Sequence, residues 1–99
     1  MSQPMNNAKE IVEKLIEKVE KDNLTEQLQT IDKLIDQNKA KIWLRTRSGK
    51  PLAEKMETTA QMVWEKLGTG SDTNKTIDEL MMVAKEIDEE SQRRSMVVT

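Results

Sequence analysis

Carboxylates are the only side chains in this sequence with the numbers and spacing to do chemistry. Glu10 with Glu13, Glu17 with Glu20, Asp32 with Asp36 and Glu86 with Glu89 each set two acids three or four residues apart, on one face of a helix. Facing pairs of this kind hold Mg²⁺ in all-α hydrolases, where the metal binds phosphate and activates water. Here each pair is flanked by lysines at helical spacing or lies on the polar side of its helix, and di-iron carboxylate bundles also require histidine. The chain has no His and no Cys. That excludes thiol nucleophiles, Ser-His triads, disulfides, haem, iron–sulfur clusters and ordinary zinc sites. Two glycine strings are equally uninformative. Gly49-Lys50 has Leu44 where a phosphate-binding loop needs an earlier glycine and Pro51 where it needs Ser or Thr, and Gly68-Thr69-Gly70 follows no strand. The expectation is a protein without cofactor, metal or catalytic activity.

Binding features are more prominent. Lys39, Lys41, Arg45, Arg47, Lys50 and Lys55 form a basic run with no acid between Asp36 and Glu54. Such a run can contact phosphates from a helix end while Trp43 stacks on a base, which makes nucleic acid the alternative partner. The competing reading is that Ile42 and Trp43 pack inward while the cations offset the helix dipole. A pI near 5.2 and a net charge of −2 favour the second. Residues 1–50 carry about +2 and residues 51–99 about −4, an asymmetry that suits antiparallel helix pairing or head-to-tail docking.

Seven methionines and two tryptophans carry most of the soft apolar surface. Met56 and Met81 fall on inner helix faces, with Met62 and Met82 beside them, so one of each pair is a candidate to line a groove for another helix. Trp43 and Trp64 serve equally as core anchors or as interface hot spots. Asn38 occupies a position where an apolar residue is expected, a substitution that fixes register in helical seams or marks the wet end of a bundle.

Four amphipathic segments must position these groups. Asn7 with Glu10 reads as a capping box that opens Ala8, Ile11, Val12, Leu15, Ile16 and Val19, with Glu10–Lys14 and Glu17–Lys21 pairs on the wet side. Asn23 with Glu26 opens Leu24, Leu28, Ile31, Leu34, Ile35 and Ile42 at heptad-like spacing, and this helix is expected to run through Trp43 and Leu44 to the break at Ser48-Gly49. Pro51 begins a third segment along Leu52, Met56, Ala60, Val63 and Leu67, closed by Gly68 at C′. After a loop at 68–74, Thr76 with Glu79 opens Ile77, Leu80, Met81, Ala84 and Ile87, and Glu89–Arg93 and Glu90–Arg94 pairs close it. No run alternates with period two, so no sheet is expected.

The sequence thus predicts an all-α protein: four amphipathic helices forming a helical bundle, completed within the chain or by self-association. Residues 7–94 make the single domain, between a flexible N-terminus at 1–6 and a flexible tail at 95–99. Only 35% of residues are hydrophobic, a thin core that association would reinforce. The expected function is a non-enzymatic protein–protein interaction module, a small adaptor or regulator that forms a homo-oligomer, with a dimer favoured. Its interface residues are expected to be Leu28, Ile31, Ile35, Ile42, Trp43, Met62, Trp64 and Met82. No segment has the length and hydropathy to span a membrane and the start has no signal-peptide character, so a cytoplasmic location is expected.

Overall fold

Residues that start and stop helices set the frame. The computed structural model describes residues 3–19, 22–70 and 72–97, which form α1 (Pro4–Lys18), α2 (Asp22–Asn38), α3 (Leu52–Lys66) and α4 (Thr73–Val97). Pro4 supplies a preset φ at the first helical position, so α1 begins three residues before Asn7 and carries Met5 into the core. Asn7 lies inside the first turn, where its amide donates to the Glu57 carboxylate on α3 instead of capping its own helix. α2 begins one residue before Asn23; its cap lies outside the described residues, as do Glu20 and Lys21 of the expected pairs.

At the other end of the chain, Asp72 takes the capping role assigned to Thr76. Its carboxylate accepts the Lys75 N–H at 3.2 Å, so α4 starts inside the expected loop. Thr76 is buried on the inner face, and its hydroxyl donates to the Asp72 carbonyl. Gly68 follows the C-cap residue Leu67 with φ +80°, the left-handed C′ conformation expected of it. α4 continues to Val97, past the expected tail boundary at Ser95.

Helix contacts define the topology. α1 packs on α2 and α3, and α4 packs on the same two, which gives the order α1, α2, α4, α3 around the bundle. Short connections fold α1 onto α2 and α3 onto α4 as antiparallel hairpins. Gln27 with Asp78 and Asn38 with Asp88 run in step, so α2 and α4 are parallel neighbours. The chain must therefore cross one end of the bundle diagonally between α2 and α3, and residues 39–51 make that crossing. Among the described residues no helix is long and apolar enough to cross a membrane.

The core sits between the four helices. Val12 and Leu15, Leu28, Ile31 and Ile35, Met56, Ala60 and Val63, and Ile77, Leu80 and Ile87 are all enclosed. Leu28, Ile31 and Ile35, expected at a seam between subunits, are instead covered by α1 and α4 of the same chain. The heptad spacing is genuine; its partner is intramolecular.

α2 also stops at Asn38, well short of Leu44. The amide of Asn38 donates to Leu34 O at 3.0 Å and to Asp88 Oδ1 at 3.1 Å, binding the last turn of α2 to α4. A helix continued to residue 47 would overshoot its fifteen-residue neighbour α1 by several turns. Turning at Asn38 lets Leu44 fold back and become fully buried, and burying a Leu is worth about 2 kcal/mol.

Candidate functional site

The crossing is built from tight turns. Lys41 N–H donates to Asn38 O at 2.8 Å and Leu44 N–H to Lys41 O at 3.1 Å, which reverses the chain directly after α2. A miniature hairpin follows. Thr46 N–H donates to Lys50 O at 2.9 Å, Leu52 N–H donates to Leu44 O at 3.0 Å, and one isolated bridge joins Arg45 to Pro51. Gly49 at φ +88° closes the turn, a conformation that only glycine adopts without strain. The Arg45 guanidinium donates to Gly49 O at 3.0 Å, and the Lys50 N–H donates to the Thr46 hydroxyl at 3.1 Å. Leu44 anchors this hairpin in the core from below.

Side chains around that anchor face outward. Ile42 is 40% exposed and Trp43 51% exposed, which overturns their expected inward packing. The reason is the reversal at Lys41: once the backbone leaves the helix, the position that reaches the core is Leu44. Trp43 is also enclosed by charge. The Arg94 guanidinium lies 5.4 Å from its ring centroid and the Lys41 ammonium 5.9 Å away, both within cation–π range. Arg94 comes from α4, whose last turns run past the end of α2 and give the crossing a surface to lean on. Arg93, expected to pair with Glu89, bonds Glu90 at 2.5 Å.

The basic run does not form one open patch. Lys39 is paired with Asp36 at 3.2 Å and Lys55 with Glu86 at 3.4 Å. Arg47 shares a shallow cavity with Glu86, Glu89, Glu90 and Arg93. A phosphate chain laid along this end would meet carboxylates as well as cations. Lys41 and Arg45 have the partners described above, and Lys50 is exposed at the hairpin.

Of the other expected interface residues, Met62 is 38% exposed and Met82 70% exposed, whereas Trp64 is half-buried against the core. Met62 lines a groove with Asn7, Ile11 and Lys14 of α1; Met82 lines another between α3 and α4 with Thr59 and Val83. The fold therefore brings Ile42 and Trp43 together, and sets Met62 and Met82 on separate surfaces.

Four acids of the expected pairs, Glu13, Asp32, Asp36 and Glu86, have lysine partners. Lys9 reaches Asp32 at 3.2 Å, Asp36 at 3.6 Å and Glu13 at 3.6 Å, crossing from α1 to α2. Partial burial pulls the Lys9 pKa down, but its hydrogen bond to Asp32 and the charges of Asp32, Asp36 and Glu13 leave it raised. The Lys39 ammonium, bonded to Asp36, and then Lys9 hold the Asp36 carboxyl below its usual range. Among the described residues no three acidic side chains are grouped to hold a metal ion.

Sequence reasoning missed Arg94 as a neighbour of Trp43, because 51 residues separate them and Glu90 offers a nearer pairing at helical spacing. The sequence places Leu44 in a continuing helix beside Ile42 and Trp43, and no local signal separates the one that turns inward from the other two. No protein-family model matches the chain, and neither a curated protein nor a solved structure is similar to it.

Proposed function

We propose that the protein is a non-enzymatic interaction module that docks a partner protein at the crossing end of the bundle. The observation that supports this reading is Trp43: a half-exposed ring beside exposed Ile42, flanked by two cations and carried on a hairpin whose Leu44 is locked in the core. A rigid aromatic presented in this way binds without the ordering penalty that a floppy loop incurs. The Lys41 and Arg94 charges select an acidic segment, and Ile42 and Trp43 select an apolar side chain within it. The chemistry therefore suits an acidic, amphipathic peptide of another protein.

The competing partner is single-stranded nucleic acid stacked on Trp43, and the carboxylates beside Arg47 weigh against it. The test uses the full chain carrying Trp64→Phe, so that Trp43 alone reports by fluorescence. Titration with an acidic Leu-containing helical peptide is expected to give a saturable spectral change, lost with Ile42→Ser and weakened by Arg94→Ala. Steeply salt-dependent binding to an oligothymidylate without a response to the peptide would transfer the site to nucleic acid. Silence with both probes would remove the site altogether.

A further inference from the structure

The crossing between α2 and α3 conflicts with its own sequence. Residues 39–47 contain neither Gly nor Pro, and Lys39, Ala40, Lys41, Leu44 and Arg45 are strong helix formers. The heptad of α2 runs on into them, since Ile42 follows Leu28 and Ile35 at seven-residue steps. What stands against a longer helix is closure of the bundle onto itself: turn bonds at Lys41 and Leu44, burial of Leu44, and the small hairpin that needs Gly49 at φ +88°. The α1–α2 and α3–α4 hairpins meet along α1 with α3 and along α2 with α4, and the crossing is the covalent link between them.

We infer that the crossing is a hinge through which two copies of this chain exchange hairpins. In the exchanged dimer α2 continues as one helix into residues 39–47, residues 48–51 form the joint, and α1–α2 of one copy packs on α3–α4 of the other. Each contact between hairpins is remade between chains, including Asn7 with Glu57, Gln27 with Asp78 and Asn38 with Asp88. Only the crossing differs. There the Gly49 turn opens, Leu44 leaves its place in the core, and helical hydrogen bonds replace the turn bonds. The two links span the same gap between the crossing ends of the two bundles, in opposite directions. That brings Ile42, Trp43 and Leu44 of each copy within reach of the other's as new cover.

Closed and exchanged forms share their core, so concentration decides between them. The crossing gives each hairpin of the closed chain a high effective concentration of the other, which favours the monomer in dilute solution. Lys39, Lys41, Arg45 and Arg47 of the two links repel one another, so salt favours the dimer. Exchange requires the hairpins to part, which makes it slow, and a dimer made at high concentration persists on dilution. Exchange does not depend on what Trp43 binds.

The chain has no cysteine, so the full chain carrying Asn7→Cys with Glu57→Cys, two side chains that touch between α1 and α3, provides the test. Refolding from urea at high protein concentration and high salt, followed by mild oxidation, is expected to give a disulfide-linked dimer on a denaturing gel, because position 7 then pairs with position 57 of the other copy. Refolding in dilute solution should give the internally linked monomer. Adding Gly49→Ala should lower the concentration needed for the dimer roughly tenfold. The closed turn demands φ +88° there, and the added methyl group meets nothing within 4 Å, so backbone strain alone acts against the closed form. Adding Ile42→Pro should suppress the dimer, since proline suits the second position of the turn from Lys41 to Leu44 but interrupts a continuous helix. Circular dichroism checks that helicity is retained. A dimer whose chains separate on the denaturing gel would have packed side by side without exchange, and would overturn the inference. So would chains that stay monomeric at every concentration with Gly49→Ala, a link undiminished by Ile42→Pro, or one formed as readily by either cysteine variant alone.

Discussion

The α2 stripe and the crossing that follows it are built from the same kind of residue and have opposite fates. Leu28, Ile31 and Ile35 are fully enclosed, whereas Ile42 and Trp43, continuing the same apolar run, stand in solvent. The difference lies in what surrounds each stretch of backbone. α1 and α4 flank α2 along its length, while beyond Asn38 the chain leaves that cleft and crosses the end of the bundle beside the last turns of α4. Of the apolar residues there, Leu44 folds back into the core and Ile42 and Trp43 are left over from folding.

Substitutions that treat the two regions alike should separate them most sharply. Ile35→Ala leaves a cavity among packed neighbours and should destabilise the fold by about 2–5 kcal/mol in urea unfolding, whereas Trp43→Ala, which gives up two cation–π contacts on a half-exposed ring, should cost only about 1–2 kcal/mol. Equal losses would mean that the crossing is as much a part of the core as α2.

The boundary between the regions is the next target. Asn38→Ala removes the bond to Asp88 and should cost about 1–2 kcal/mol, with faster amide exchange in residues 39–44 than along α2. Uniform exchange across this boundary would show that Asn38 does not mark it.

Acid should act on the outer side of α2 and leave the crossing alone. The Asp36 carboxyl is held below its ordinary range in the folded chain, so its contribution is fully present above that range and disappears as pH falls through the lowered value. The raised Lys9 behaves in the opposite sense: its contribution is present below the ordinary lysine range and is lost as pH rises through the raised value. The urea midpoint of the original chain should therefore exceed that of Asp36→Asn at neutral pH and converge on it in acid. The smallest effect belongs to Arg94→Ala. Loss of one cation–π contact, worth about 0.5–1 kcal/mol, should lower the melting temperature by only a few degrees while making Trp43 more readily quenched by acrylamide.

Much of the fold is legible in the residues themselves. Four helices follow from three- and four-residue apolar spacing, and every inward position named on α3 is buried or packed on the core, from Leu52 to Leu67. Helix starts are less legible, because Asn7 and Thr76 have the side chains of caps but lie beyond stronger starters, Pro4 and Asp72. The candidate site is half-legible: Trp43 and its basic neighbours stand out in the sequence, while the exposure of the ring and its contact with Arg94 do not.

Sequence alone determined the helical class, the polar and apolar faces, and the exclusion of thiol and histidine chemistry, because each follows from local periodicity or composition. Tertiary structure decided where α2 ends, which partner buries its stripe, and which of Ile42, Trp43 and Leu44 reaches the core. Those outcomes depend on the diagonal crossing between α2 and α3 and on the length of α4 beside it. Neither is a property of any local window, since both arise from burying all four apolar faces at once.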